Sequence, residues 1–142
     1  MYDILQNLRE MPERFLEKSN IFAVYAVDDD DPSAEGKNAY QIIKKSGYRT
    51  FALGRGKGKI DNEPIYDSLA KLPQKPTVMY IATADENLRK FIEECVAAEI
   101  NLVWFRPSTE NSELMDFCLN HSIEILTHRD LARTLTNERA YC

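Results

Sequence analysis

The sequence predicts a three-layer α/β fold, a five-stranded and mainly parallel sheet with helices on both faces. Short, near-continuous apolar runs, "IFAVYAV" (21–27), "TVMYIAT" (77–83) and "INLVWF" (100–105), have the composition of strands buried on both faces. Segments with apolar residues at helical spacing separate them, and strands that alternate with helices pair in parallel through right-handed crossovers.

The elements follow in order. Ile4, Leu5, Leu8 and Met11 repeat at helical spacing, Pro12 interrupts, and Phe15 and Leu16 resume the apolar face, so an N-terminal helical segment over 1–19 is expected. The first strand is 21–27. The next helix starts near Pro32 to Ala34, buries Ala39, Ile42 and Ile43, and stops at Gly47. "YRTFAL" (48–53) is the second strand, and residues 54–76 form a loop with one short helix near Asp67 to Lys71. The third strand is 77–83. Thr83 and Glu86 have capping-box spacing ahead of a helix whose apolar face is Leu88, Phe91, Ile92, Cys95 and Val96. After the fourth strand (100–105), Ser108 or Thr109 caps a helix carrying Leu114, Met115, Phe117 and Cys118, with His121 as a C-terminal cap. "SIEIL" (122–126) is the fifth strand, and a last helix near Asp130 to Arg139 uses Leu131 and Leu135. No repeat or linker divides the chain, so a single domain over 1–142 is expected, with its core in 20–142.

Composition narrows the function. The 142 residues are 44% hydrophobic and 29% charged, a globular balance, and the net charge of −5 argues against a general nucleic-acid binder. No apolar run approaches membrane-spanning length, and "MYDILQNLREMPERF" lacks the basic start and apolar core of a signal peptide. A cytoplasmic protein with no membrane partner is expected. Cys95, Cys118 and Cys142 show neither a zinc spacing nor a disulfide framework, and the first two lie on apolar helix faces as buried thiols.

In open parallel sheets ligands bind beyond the carboxyl ends of the strands. The segment after the second strand, "GRGKGK", holds Gly54, Gly56 and Gly58 alternating with Arg55, Lys57 and Lys59. Glycines let backbone N–H groups face an anion and the cations add charge, as a ribose phosphate requires; a soluble glycine-rich loop with ordinary lysines is the competing reading. Ala82 and Thr83 follow the third strand and Arg106 the fourth. Asp28, Asp29, Asp30 and Asp31 follow the first, where a phosphate turn would need small residues. They lack the spacing of a calcium loop and read as helix capping plus solvated charge, not as a metal site. Asp85 reads as a helix N-cap, and Trp104 as core or as a stacking surface at the crevice. His128 has no assignable Ser or Cys partner and reads as an ordinary polar residue, so no catalytic residue is named.

The pieces "IFAVYAV…DDPS", "IIKKSGYRTFAL", "EPIYDSLAKLP", "LVWF" and "HRDL", in this order, resemble the small CoA-binding-domain proteins. These are single Rossmann domains similar to the CoA-binding part of the succinyl-CoA synthetase α subunit. The resemblance implies a Rossmann-like fold and non-enzymatic binding of CoA, acyl-CoA or a related phosphorylated adenine nucleotide. Its adenosine end would meet Gly54, Arg55, Gly56, Lys57 and Lys59. Its pyrophosphate would meet the backbone around Ser33 to Lys37, with Arg106. Family members continue the first strand as Val-Gly-Ala-Ser; here Tyr25 replaces the glycine and Val27 the serine. The family's Trp-x-Gln-x-Gly becomes Trp104, Phe105, Arg106, Pro107 and Ser108. These departures support an alternative, a diverged module without nucleotide that acts in protein interaction or regulation, through a protein partner or as a homo-oligomer. An NADP-dependent enzyme is a more distant reading, because no redox residue set is evident.

Overall fold

The computed structural model describes residues 14–27, 35–54, 58–84, 86–107, 109, 111–127 and 129–140, with backbone alone over 136–140. Its elements are β1 (Ile21–Tyr25), α1 (Glu35–Lys45), β2 (Arg49–Leu53), β3 (Lys59–Ile60), β4 (Glu63–Tyr66), a 3-10 turn (Leu69–Lys71), β5 (Val78–Ile81), α2 (Leu88–Ala97), β6 (Leu102–Phe105), α3 (Ser112–Asn120), β7 (Glu124–Leu126) and α4 (Leu131–Ala140). The strands form one seven-stranded sheet in the order β3-β4-β2-β1-β5-β6-β7. Every pairing is parallel except β3 with β4.

The α/β layering is as expected, with two more strands than the sequence suggested. Both lie in the segment read as loop. Asp61 and Asn62 adopt φ of 51° and 69° between β3 and β4, the two positive values that a tight hairpin of matching twist requires. β4 then pairs with β2, Ala52 opposite Ile65 and Leu53 opposite Tyr66. A two-residue strand and a four-residue strand containing Pro64 show no apolar run, which is why the pattern hid them.

The central strands are buried on both sides. Phe22, Val24, Val78, Tyr80 and Trp104 face a core with Tyr40 and Ile43 of α1 and Leu131 and Leu135 of α4. Ala23, Met79, Ile81, Val103 and Phe105 face a second core with Phe91, Ile92 and Cys95 of α2 and Leu114 and Cys118 of α3. Residues one apart thus serve opposite layers, the period that the pleat imposes. Burial pushes the Cys95 thiol up and the Cys118 thiol up to about 11, so both stay neutral packing groups. Phe15 and Leu16 are buried in the first core, whereas the helix expected further upstream lies outside the described residues.

Helix ends follow local chemistry. Gly47, at φ 98°, ends α1; its N–H donates to Lys44 O and the Tyr48 N–H to Ile43 O, the paired bonds of a Schellman stop. At α3 the cap is Asn111, whose side-chain oxygen accepts the Leu114 N–H at 2.8 Å. Thr109 is instead buried, with its hydroxyl donating to Arg106 O at 2.6 Å, and Ser108 lies outside the described residues. Asp130 Oδ2 accepts the Arg133 N–H at the start of α4, and His121 caps the end of α3 with Nδ1 donating to Phe117 O. Among the described residues no helix is long and apolar enough to cross a membrane.

Candidate functional site

Strand order decides where the site lies. From β1 the chain builds outward through β2 to β4, then returns to the other side of β1 and builds through β5, β6 and β7. The connections after β1 and β5 leave toward opposite faces, because α1 packs in one core and α2 in the other. They open a crevice at the carboxyl ends of these strands.

A cleft of about 450 Å³ occupies this edge on the α2 side. Its floor is the ends of β1 and β2, Tyr25, Ala26, Leu53 and Gly54; its walls are Asp67 and Ser68 after β4 and Glu86, Asn87, Lys90, Phe91 and Glu94 of the α2 entry and helix. Tyr25 stacks on Phe91, ring centroids 4.2 Å apart and planes inclined by 29°. An aromatic pair therefore joins β1 to α2 along the cleft. Asp67 is engaged by Lys71 at 2.9 Å, a partly solvated pair.

The turn leaving β1 is tight. Ala26 sits at φ 75°, a left-handed conformation that a side chain disfavours. Val27 still reaches β2, its N–H donating to Leu53 O at 2.8 Å, and the Ala82 N–H donates to Tyr25 O at 3.3 Å. Against this turn lies Gly36, in the first turn of α1, where an added Cβ would fall 2.3 Å from Ala26 O and 2.8 Å from Val27 Cα. Only a residue without a side chain lets the helix start so close to the strand end. Ala26→Gly should relieve the left-handed strain and raise stability by about 1 kcal/mol, read as a shift of the urea midpoint.

On the α1 side, Arg106 bends back from β6. Its Nε donates to Ala82 O, and it lies 3.9 Å from the Glu35 carboxylate at the start of α1. With Glu35, Asn38, Tyr80 and Asp130 it lines a smaller cavity of about 180 Å³. Burial pushes the Tyr80 hydroxyl well above its usual range, with Arg106 pulling partly against it.

The residues expected from sequence divide among these places. Gly54 lines the cleft, but its N–H donates to Tyr66 O at 2.8 Å and so is committed to the β2–β4 ladder and not turned toward an anion. Lys59 is exposed on β3, paired opposite Pro64, away from the cleft wall. Ala82 is buried and its carbonyl is held by Arg106. Thr83 is not a helix cap, since α2 begins at Leu88 with Asn87 as its N-cap. Instead the Thr83 hydroxyl oxygen is buried with no hydrogen-bond partner among the described residues. Lys37 lies half-buried in the first turn of α1. Ser33, Arg55, Gly56 and Lys57, together with Asp28 to Asp31, Asp85 and His128, fall outside the described residues. Trp104 is core: it is wholly buried, edge-on to Phe15 and Tyr80, with Nε1 donating to Arg129 O at 3.3 Å. Sequence reasoning missed Lys90, Phe91, Ser68 and Glu94 as cleft residues. Helical periodicity marked Phe91 as apolar core, and the wall formed after β4 was invisible without the hairpin that places it.

The comparisons agree with this architecture. A Pyrococcus horikoshii protein is superimposable with a TM-score of 0.77 at 18% identity, covering 96% of this chain and 92% of that one. A Thermus thermophilus protein gives 0.74 at 19% identity over 93% and 96%. A dinucleotide-forming acetyl-coenzyme A synthetase of Ca. Korarchaeum cryptofilum, in its apo form, gives 0.65 at 16% identity, over 87% of this chain and 30% of that longer one. At such identities the likeness is one of fold. No curated protein matches the sequence. Residues 21–132 match a family model described as a CoA binding domain.

Proposed function

Because the chain belongs to the CoA binding domain family, we propose that it binds CoA, acyl-CoA or a related phosphorylated adenine nucleotide at the carboxyl edge of the sheet, and that it acts as a binder without chemistry of its own. The observation that carries this is the cleft at the point where the strand order reverses, with the Thr83 hydroxyl oxygen buried at the same edge and without a hydrogen-bond partner among the described residues. A buried hydroxyl without a partner costs free energy that a ligand's polar atom can recover. The family also fits the close packing at Gly36, which brings the start of α1 and its N–H groups up to the end of β1.

In this reading the adenosine phosphate meets Arg55, Lys57 and Lys59 beyond β2. The pyrophosphate meets the backbone from Ser33 to Lys37, with Arg106 released from its long contact to Glu35. Titration calorimetry with CoA, dephospho-CoA and NADP at one salt concentration tests it. Saturable CoA binding that weakens without the 3′-phosphate is expected, and no heat with any of the three would overturn it. Changing Arg55, Lys57 and Lys59 together to Ala should weaken CoA by about tenfold while dephospho-CoA changes little, since a charge-assisted hydrogen bond contributes on this order. Equal losses for both ligands would remove the phosphate from that loop.

A second reading has its own observation. Tyr25 stacks on Phe91 where a glycine would leave room for a phosphate, and Glu86 and Glu94 stand on the cleft wall. A module that has lost its nucleotide and acts through a protein partner would look like this, and it predicts silence in the same titration.

A further inference from the structure

The cleft walled by α2 has a neighbour further along that helix. A second cavity, of about 470 Å³, lies between the segment following the 3-10 turn and the last turns of the same helix. Glu94 borders both cavities, and the segment from Asp67 through Leu72 walls first one and then the other. The lining changes character along this path. The first cavity presents Asp67, Ser68, Glu86, Asn87 and Lys90, whereas the second is mostly apolar, with Leu69, Leu72, Pro76, Ala97, Ala98 and Ile100, and has Gln74, Lys75 and Glu94 as its polar members. Leu69, Leu72 and Ala98 already pack on the core beneath, so the groove floor is a continuation of the apolar layer. Its volume lies within the roughly 300–1,000 Å³ typical of small-molecule sites.

We propose that this groove takes the acyl chain of an acyl-CoA, so that the ligand is a fatty acyl thioester and not free CoA. The inference rests on the function proposed above. A polar cavity with an apolar one beside it, the two sharing Glu94 and the segment from Asp67 to Leu72, fits a molecule with a polar arm and an apolar tail. The charges choose among such molecules. With Asp67 engaged by Lys71, the first cavity still presents, among the described residues, Glu86 and Glu94 against Lys90. A free carboxylate would be repelled there, whereas an uncharged amide arm and thioester would not, and amide N–H groups can donate to the carboxylates.

The test compares octanoyl-CoA with CoA by calorimetry on the wild-type chain and on Ala97→Phe and Ala70→Phe. Both alanines are exposed residues on the groove wall, so each variant should fill the groove and leave the fold intact. Octanoyl-CoA should bind at least about tenfold more tightly than CoA, because each methylene taken from water contributes roughly a fourfold factor. Both variants should bring octanoyl-CoA back to the affinity of CoA and leave CoA itself unchanged. If CoA binds and octanoyl-CoA binds no better, or keeps its advantage in both variants, the acyl assignment is overturned and the nucleotide reading survives. If neither binds, the nucleotide reading fails and the acyl assignment with it. Octanoate binding alone, with the same sensitivity to the variants, would overturn the thioester and assign the groove to free fatty acids.

Discussion

Gly36→Ala should lower the stability of this fold by about 3 kcal/mol, the upper part of the range for forced overpacking. The added methyl would sit 2.3 Å from Ala26 O and 2.8 Å from Val27 Cα, and both neighbours are backbone, which cannot rotate out of the way. Either α1 shifts outward or the β1 turn does, and the turn is pinned by the Val27 N–H to Leu53 O. Gly47→Ala is the control. It is left-handed at φ 98° with nothing within reach of an added Cβ, so its cost is only the conformational one, about 1 kcal/mol. Urea unfolding of the two variants beside the wild type separates the cases. Equal losses would mean that the close approach relaxes freely. If Gly36→Ala is the more damaging, it should also weaken any ligand at the α1 entry, because the same shift moves those N–H groups.

Trp104→Ala should cost about 4 kcal/mol, in the range for truncating a buried large aromatic. Trp104 has no exposed surface and meets Phe15 at 6.4 Å and Tyr80 at 5.5 Å, both edge-on. Its indole N–H is a donor to Arg129 O, so truncation removes both packing volume and the tie to the segment that enters α4. Trp104→Phe keeps most of the volume and should cost about half as much. Circular dichroism is the readout for both, because Trp104 is the chain's one tryptophan and its loss removes the fluorescence probe. A loss under about 1 kcal/mol for Trp104→Ala would show that the site collapses to fill the space.

Much of this architecture is legible from local pattern. Strands such as Ile21–Tyr25, Val78–Ile81 and Leu102–Phe105 are apolar because both faces are covered, and this shows in any window of the sequence. Elements that depend on few residues are not so visible. The hairpin of β3 and β4 is specified by two residues with positive φ, Asp61 and Asn62, and by hydrogen bonds to a distant strand. Asn111 and not the nearby Thr109 caps α3, because Asn111 directly precedes Ser112 while the Thr109 hydroxyl is taken by Arg106 O. For the site, sequence pointed to the correct edge of the sheet, since that follows from topology alone. It could not show that the Gly54 N–H is consumed by Tyr66 or that Tyr25 lies on Phe91. Each of these joins residues far apart in the chain.

The hairpin has a further consequence for how the chain behaves when crowded. A parallel sheet that ended at β4 would offer a row of open N–H and C=O groups as a template for another molecule. Here that border is sealed by an antiparallel strand of only two residues, with Lys59 exposed on it and Pro64, which has no N–H to give, opposite. The other border, β7, is three residues long. Neither rim offers enough length for copies to line up edge to edge, so ordered growth of the sheet from molecule to molecule is discouraged at both of its margins.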